Sequence, residues 1–136
     1  MNLIIIDNNI NYADKLKEVL VEKLELEKIT VARKISTNLS ENFQTKSVVL
    51  FEPTNENLKE IENYLLENKK HHPRFIAFAN ETESQTLIDS VVNGVSSIIY
   101  KSEKIEFIIE ELKLVLRGKV VFPQKLINKP LWTASP

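Results

Sequence analysis

Glycine and cysteine are the most informative scarcities in this 136-residue sequence. It has two glycines, Gly94 and Gly118, and no cysteine. Loops that cradle a nucleotide phosphate need several glycines in one short segment, so that backbone N–H groups can approach the phosphate. The sequence therefore excludes a Walker-type loop and a Rossmann fingerprint. The absence of cysteine excludes disulfides, cysteine-ligated zinc and thiol catalysis. An ordinary nucleotide-binding enzyme is not expected.

Long hydrophobic runs and an excess of one charge are also missing. No apolar run approaches the roughly 20 residues that span a bilayer. The first residues, Met1 to Asp7, contain neither a basic leader nor a cleavage site. The net charge is −1, and no basic run suggests a nucleic-acid surface. We therefore expect a cytoplasmic domain with one core that contacts neither membrane nor nucleic acid directly.

Short apolar runs alternate with amphipathic segments along the chain. The runs predict buried strands, and apolar residues spaced three and four positions apart predict helices. This alternation predicts an α/β fold, a flavodoxin-like doubly wound sheet of five parallel strands in the order 2-1-3-4-5. The predicted strands are residues 3–6, 29–32, 48–51, 75–79 and 97–100. The predicted helices are residues 10–24, a segment around Leu58 to Leu65 capped by Asn55 or Asn57, residues 82–93 and residues 104–117, with at most a short helix within 36–46.

Polar and small residues at the predicted strand ends carry a family resemblance. Asp7 follows the first strand, Glu52 the third and Lys101 the fifth, while Ala79 ends the fourth and Gly94 follows the next helix. This pattern resembles the response-regulator receiver domain over about the first 118 residues. Residues 115–123 further resemble the end of receivers in the LuxR-type group. We predict a receiver-like domain over 1–118 and a C-terminal tail or linker over 119–136.

The resemblance implies a phosphate-accepting pocket whose residues are partly changed. In receivers, acidic residues after strand one and an aspartate after strand three hold Mg²⁺, and that aspartate accepts a phosphoryl group. A Ser or Thr hydroxyl after strand four and a lysine after strand five bind the phosphoryl group. Asp7 and Lys101 fit, but Asn8 replaces an acid, Glu52 is longer than the usual acceptor Asp, and Ala79 has no hydroxyl. We predict a degenerate pocket with no catalytic residue, cofactor or metal. An ion pair between Glu52 and Lys101 is expected to hold it in one state, unless both side chains are simply solvated.

The last predicted helix carries a second signal. Phe107 and Leu114 lie nearly opposite its apolar face, which suggests a contact with another chain. Tyr100 is added to this predicted interface, since it lies close to Ile98, the position where the family often has a switching aromatic residue. We expect a homodimer, although isolated surface apolar residues are common. The predicted core-facing residues are Ile105, Ile108, Ile109, Leu112, Val115 and Leu116.

Three functions remain open. The first is a non-enzymatic, phosphorylation-independent signalling module in transcription regulation, joined to a C-terminal DNA-binding domain or to a protein partner. The second is a conventional Mg²⁺-dependent phosphoacceptor that uses Asp7 or Glu52. The third, an unrelated flavodoxin-like enzyme, is disfavoured by the lack of glycine-rich loops. The pair His71-His72 has no third ligand nearby and predicts a solvated turn in preference to a metal site.

Overall fold

The computed structural model describes residues 1–40, 43, 46–80 and 94–123, and the elements named here lie within them. The predicted helix over 82–93 lies outside the described residues. The strands are β1 (Asn2–Ile6), β2 (Lys28–Ala32), β3 (Ser47–Phe51), β4 (Arg74–Ala79) and β5 (Ser97–Tyr100). The helices are α1 (Ile10–Lys23), α2 (Thr37–Ser40), α3 (Asn55–Glu67) and α4 (Ile105–Leu116). Each differs from its predicted bounds by only a few residues.

The five strands form one sheet in the order β2-β1-β3-β4-β5, and every neighbouring pair is parallel. The predicted fold class and strand order are confirmed. Ile5 lies beside Leu50, and Leu50 beside Ile76, so the central strands place apolar residues next to one another. A parallel sheet is covered on both faces, which is why its strands are continuous apolar runs.

Helices cover the sheet on both faces and create two cores. In the first, Leu16 of α1 and Leu112 of α4 pack on residues such as Leu50; we call it the α1–α4 core. In the second, Leu58 and Ile61 of α3 pack on the opposite face; we call it the α3 core. Each fully buried large apolar side chain contributes about 1.5–3 kcal/mol. The predicted inward face of the last helix is confirmed, with Ile108, Ile109, Leu112 and Val115 buried and Ile105 and Leu116 partly buried.

The helix ends show where sequence signals succeed and where one fails. Gly118 has φ +92° and follows the end of α4, a conformation that glycine adopts at little cost. The N-cap of α3 is Thr54, whose hydroxyl accepts a hydrogen bond from the N–H of Asn57. The predicted cap, Asn55 or Asn57, is therefore wrong. Thr54 has the extended backbone that an N-cap requires, whereas both asparagines already lie inside the helix.

The chain crosses the open edge of β5 after α4. The N–H of Ile98 donates to the carbonyl of Val121 at 2.9 Å, and the N–H of Val121 donates to the hydroxyl of buried Ser97 at 2.9 Å. Val121 packs on the α1–α4 core and Phe122 on the α3 core. The start of the predicted tail thus covers the sheet edge. Residues 124–136 lie outside the described part, and the boundary at 118 stays a prediction.

None of the described helices has the length and apolar character that crossing a bilayer requires.

Candidate functional site

The candidate site is built on the carboxyl ends of adjacent strands. The N–H of Glu52 donates to the carbonyl of Ile6 at 2.8 Å, and the N–H of Lys101 donates to the carbonyl of Ala79 at 2.9 Å. Each backbone therefore continues the parallel ladder by one residue beyond its strand. The strands β1, β3, β4 and β5 are neighbours in that order, and all are parallel. The residues at their carboxyl ends, Asp7, Glu52, Ala79 and Lys101, therefore lie along the same edge of the sheet.

Asp7 and Lys101 make the central contact of the site. The Asp7 side chain is 1% exposed, and its Oδ2 contacts the Nζ of Lys101 directly. Its Oδ1 accepts a hydrogen bond from the N–H of Asn9 at 2.9 Å. A buried carboxylate is costly unless it is both paired and hydrogen-bonded. Asp7 has one partner of each kind, since Lys101 supplies the opposite charge at Oδ2 and the N–H of Asn9 supplies the hydrogen bond at Oδ1.

Glu52 lies further from the lysine than Asp7 does. The distance between Lys101 Nζ and Glu52 Oε2 is 3.9 Å, with Glu52 27% exposed. Its Oε1 accepts the N–H of Asn8 at 3.1 Å. The expected Glu52–Lys101 ion pair is therefore present at long range, but the principal partner of Lys101 is Asp7. The ammonium of Lys101 thus interacts with two carboxylates, those of Asp7 and Glu52.

Aromatic rings flank the same ammonium. Lys101 Nζ lies 5.6 Å from the ring centroid of Tyr12 and 5.6 Å from that of Phe78. Both rings are within the range in which a cation is attracted by an aromatic face. Burial, and secondarily the charge of Asp7, raises the pKa of the Tyr12 phenol above its ordinary value. Tyr12 therefore stays neutral at physiological pH and adds no negative charge.

The other two pocket positions contribute backbone contacts. Asn8 is exposed and reaches Glu52 through its N–H. Ala79 is 1% exposed, and its carbonyl accepts from Lys101. The methyl group of Ala79 offers no hydrogen bond to a ligand. The structure thus brings all five predicted pocket residues to one edge, with direct side-chain contacts centred on Asp7 and Lys101.

The predicted interface residues divide into two groups. Phe107 is 59% exposed and Leu114 is 42% exposed, so both lie on the surface of α4 as predicted. Tyr100 is 2% exposed and belongs to the α3 core, so its prediction as an interface residue is wrong. The strand alternation explains this, because Tyr100 shares its sheet face with Ile98, which is also buried there.

Asn57 is a site residue that the sequence signals missed. It is buried, its Oδ1 accepts the N–H of Ile35 at 3.0 Å, and its Nδ2 donates to the carbonyl of Glu52 at 2.9 Å. The amide therefore joins the segment after β2 to the end of β3. A signal was available in the sequence, since a polar residue one position before Leu58 lies beside the predicted apolar face of the helix.

The histidine pair makes no metal site in the described part of the chain. His71 is exposed, and the ring of His72 stacks on Phe75 with centroids 6.4 Å apart. The His72 Nδ1 lies 2.8 Å from the carbonyl of Pro73. Among the described residues, no group of three or more His, Cys, Asp or Glu side chains is arranged to hold a metal ion.

Glu103 and Glu111 form a second acidic feature, which the sequence did not indicate. Their side chains hydrogen-bond to one another, and the Oε2 atom of each is buried. Burial first, and then the hydrogen bond and charge of Glu103, raise the pKa of Glu111 from 4.5 to about 8. Glu111 therefore keeps its proton at neutral pH. Glu103 also lines a groove of about 320 Å³ between α1 and α4, together with Lys15 and Lys101.

Glu111→Gln is expected to make stability less dependent on pH. A raised folded-state pKa means that the folded state binds the extra proton, so the wild-type chain loses stability as pH rises from about 4.5 to about 8. After allowance for solvent screening, the variant should gain about 1 kcal/mol over wild type at pH 8 and little at pH 5. Urea unfolding at both pH values measures this. Glu110→Gln, at an exposed neighbour, should leave the pH profile unchanged; an equal response from both variants would contradict the expectation.

Solved receiver domains have the same fold as this chain. The isolated RcsB receiver from Salmonella enterica serovar Typhimurium gives a TM-score of 0.74 at 13% identity, covering 93% of this chain and 95% of that one. A LuxR-family response regulator from an Aurantimonas species gives 0.77 at 10% identity, covering 99% and 98%. The CsgD regulatory domain gives 0.64 at 20% identity, covering 93% and 96%.

The sequence itself matches no protein-family model and no curated protein. The similarity to the solved structures is therefore a similarity of fold, at identities of 10% to 20% for the three structures above. The resemblance predicted from the strand-end residues is confirmed at that level. This chain has the fold of response-regulator receiver domains, in particular of those from LuxR-type regulators.

Proposed function

We propose that the chain is an atypical receiver, a signalling and protein-interaction module that works without accepting a phosphoryl group. The observation that carries this proposal is the contact between Lys101 and the buried carboxylate of Asp7. In the family that the chain resembles, acids at this edge hold Mg²⁺ while the lysine binds the incoming phosphoryl group. Here the lysine is engaged with the acid itself.

The other pocket residues support the same proposal. Glu52 is the more accessible carboxylate, but one of its oxygens already accepts the N–H of Asn8. Phosphoryl transfer depends on a nucleophile placed in line and on charge compensation around the phosphorus. Ala79 brings no hydroxyl to that region, and Asn8 brings no negative charge. We therefore propose that the module is not an enzyme and that its pocket has a structural role.

Incubation with a small phosphodonor and Mg²⁺ is expected to leave the mass of the protein unchanged. Asp7 is buried, and the side chain of Glu52 is one methylene longer than that of an aspartate, so we expect neither carboxylate to attack the phosphorus in line. Intact-mass spectrometry measures this, with a conventional receiver treated in parallel as the positive control. A gain of one phosphoryl group that disappears in Glu52→Gln or Asp7→Asn would favour the alternative, a conventional phosphoacceptor.

The outward surface of α4 is the proposed site of self-association. Phe107 and Leu114 are exposed on this helix, and seven residues, two helical turns, separate them, so they lie on the same side. RcsB, a structural neighbour, has been solved as dimers bound to DNA, and this chain spans 64% of that protein's length. By analogy we propose a homodimer and, for transcription regulation, a C-terminal DNA-binding domain or protein partner, in the cytoplasm.

Phe107→Ser combined with Leu114→Ser is expected to convert a dimer into a monomer. Removing both apolar side chains removes the hydrophobic contribution from the proposed contact, while neither is part of the buried core. Light scattering coupled to gel filtration, at several protein concentrations, measures the mass in solution. Leu66→Ser is the matched control, since it removes an exposed leucine from α3, on the other face of the sheet. A double variant with the mass of the wild type would rule out this surface.

A further inference from the structure

The charges of the pocket do not suit a divalent cation. Asp7 and Glu52 contribute two negative charges and Lys101 one positive charge, which leaves one net negative charge. The groove of about 450 Å³ beside Glu52 is also lined by Arg33, Lys34 and Glu56. Lys34 and Glu56 balance each other in an ion pair at 3.8 Å, so Arg33 is the charge that reduces the negative potential there further. Hard cations such as Mg²⁺ are held mainly by ionised oxygen ligands and by the charge that these bring.

The carboxylate oxygens of the pocket are also engaged. Asp7 Oδ2 contacts the ammonium of Lys101, and Asp7 Oδ1 accepts from Asn9. Glu52 Oε1 accepts from Asn8, and Glu52 Oε2 faces Lys101 at 3.9 Å. A cation that entered would have to displace the lysine from Asp7. The residues present therefore do not fit the Mg²⁺ ion that receivers of the resembled family use.

We infer that Lys101 is a resident counter-cation that excludes divalent metal ions from Asp7 and Glu52. The inference rests on the proposed function and deepens it, because it names the group that keeps the pocket in one state. The aromatic rings of Tyr12 and Phe78, each with its centroid 5.6 Å from the ammonium, favour its position beside the acids. The exclusion depends on charge balance, so it should fail when the ammonium is removed or when a further carboxylate is added.

Two variants change that balance in different ways. Lys101→Met removes the ammonium and raises the net negative charge of the pocket from one to two. Asn8→Asp adds a carboxylate at an exposed position and leaves the Lys101–Asp7 contact in place, so it tests the inference even if the first variant does not fold. Lys15→Met is the matched control, because Lys15 lines the same groove as Lys101 and no ion pair joins it to Asp7.

Titration with Mn²⁺, followed by calorimetry and by electron paramagnetic resonance of the free ion, provides the test. Both Lys101→Met and Asn8→Asp should bind one Mn²⁺ at least tenfold more tightly than the wild type and Lys15→Met, and adding Asp7→Asn to either should abolish the gain. Wild-type binding as tight as that of Asn8→Asp would overturn the inference. So would folded variants that bind no more tightly than Lys15→Met.

No phosphodonor enters this titration. A wild-type chain that gains a phosphoryl group refutes the proposed function, whereas the Mn²⁺ series tests the role of Lys101 alone.

Discussion

Replacing Lys101 with methionine is expected to lower the free energy of unfolding by about 3 kcal/mol. The reason is the burial of Asp7, whose side chain is 1% exposed and whose Oδ2 faces the lysine. Removing one partner of a buried ion pair leaves a charge with neither water nor counter-ion, and that costs about 3–5 kcal/mol. The lower end applies because Lys101 is 16% exposed, so that water can enter when the ammonium is lost.

A double-mutant cycle separates the charge effect from lost packing. Adding Asp7→Asn to Lys101→Met removes the uncompensated charge, so the double variant should be more stable than Lys101→Met alone. Lys15→Met removes a lysine from the neighbouring groove and should change stability by less than about 0.5 kcal/mol. Chemical denaturation at neutral pH without divalent ions measures the wild type, Asp7→Asn, Lys101→Met and the double variant for the cycle, and Lys15→Met as the control. If Lys101→Met were as stable as Lys15→Met, the pair would not stabilise the fold.

The sequence predicted which residues meet at the pocket but not which of them pair. Parallel strands place their carboxyl ends at one edge, so Asp7, Glu52 and Lys101 had to be neighbours once the strand order was right. Pairing depends on side-chain reach and on burial, which strand positions do not encode. Lys101 contacts Asp7 because that acid is enclosed, while the longer and more exposed Glu52 has a second donor in Asn8.

Two residues show why burial was harder to predict than position. Tyr100 was assigned to a surface from its place in the chain, yet it is in the α3 core, because it ends a strand covered on both faces. Asn57 was interpreted as a helix cap because asparagine favours caps. Its amide instead reaches two backbone groups from different segments, Ile35 and Glu52, which no local pattern joins.

The second large effect concerns the side-chain amide of Asn57. Asn57→Ala is expected to lower the free energy of unfolding by about 2 kcal/mol. The substitution leaves the N–H of Ile35 in a buried position without its acceptor. The Glu52 carbonyl loses one donor but keeps another, since the N–H of Thr54 also donates to it at 2.9 Å. The cost should therefore come mainly from the Ile35 amide, and hydrogen exchange of that amide should accelerate together with the fall in stability.

Asn55→Ala makes the same chemical change two residues earlier, at an exposed position in the first turn of α3, and should cost less than about 0.5 kcal/mol. Equal losses in the two variants would mean that asparagine acts through helix propensity and not through the buried bridge. A selective loss in Asn57→Ala would instead show that the buried amide of Asn57 stabilises the fold through its hydrogen bonds, chiefly the one it accepts from the N–H of Ile35.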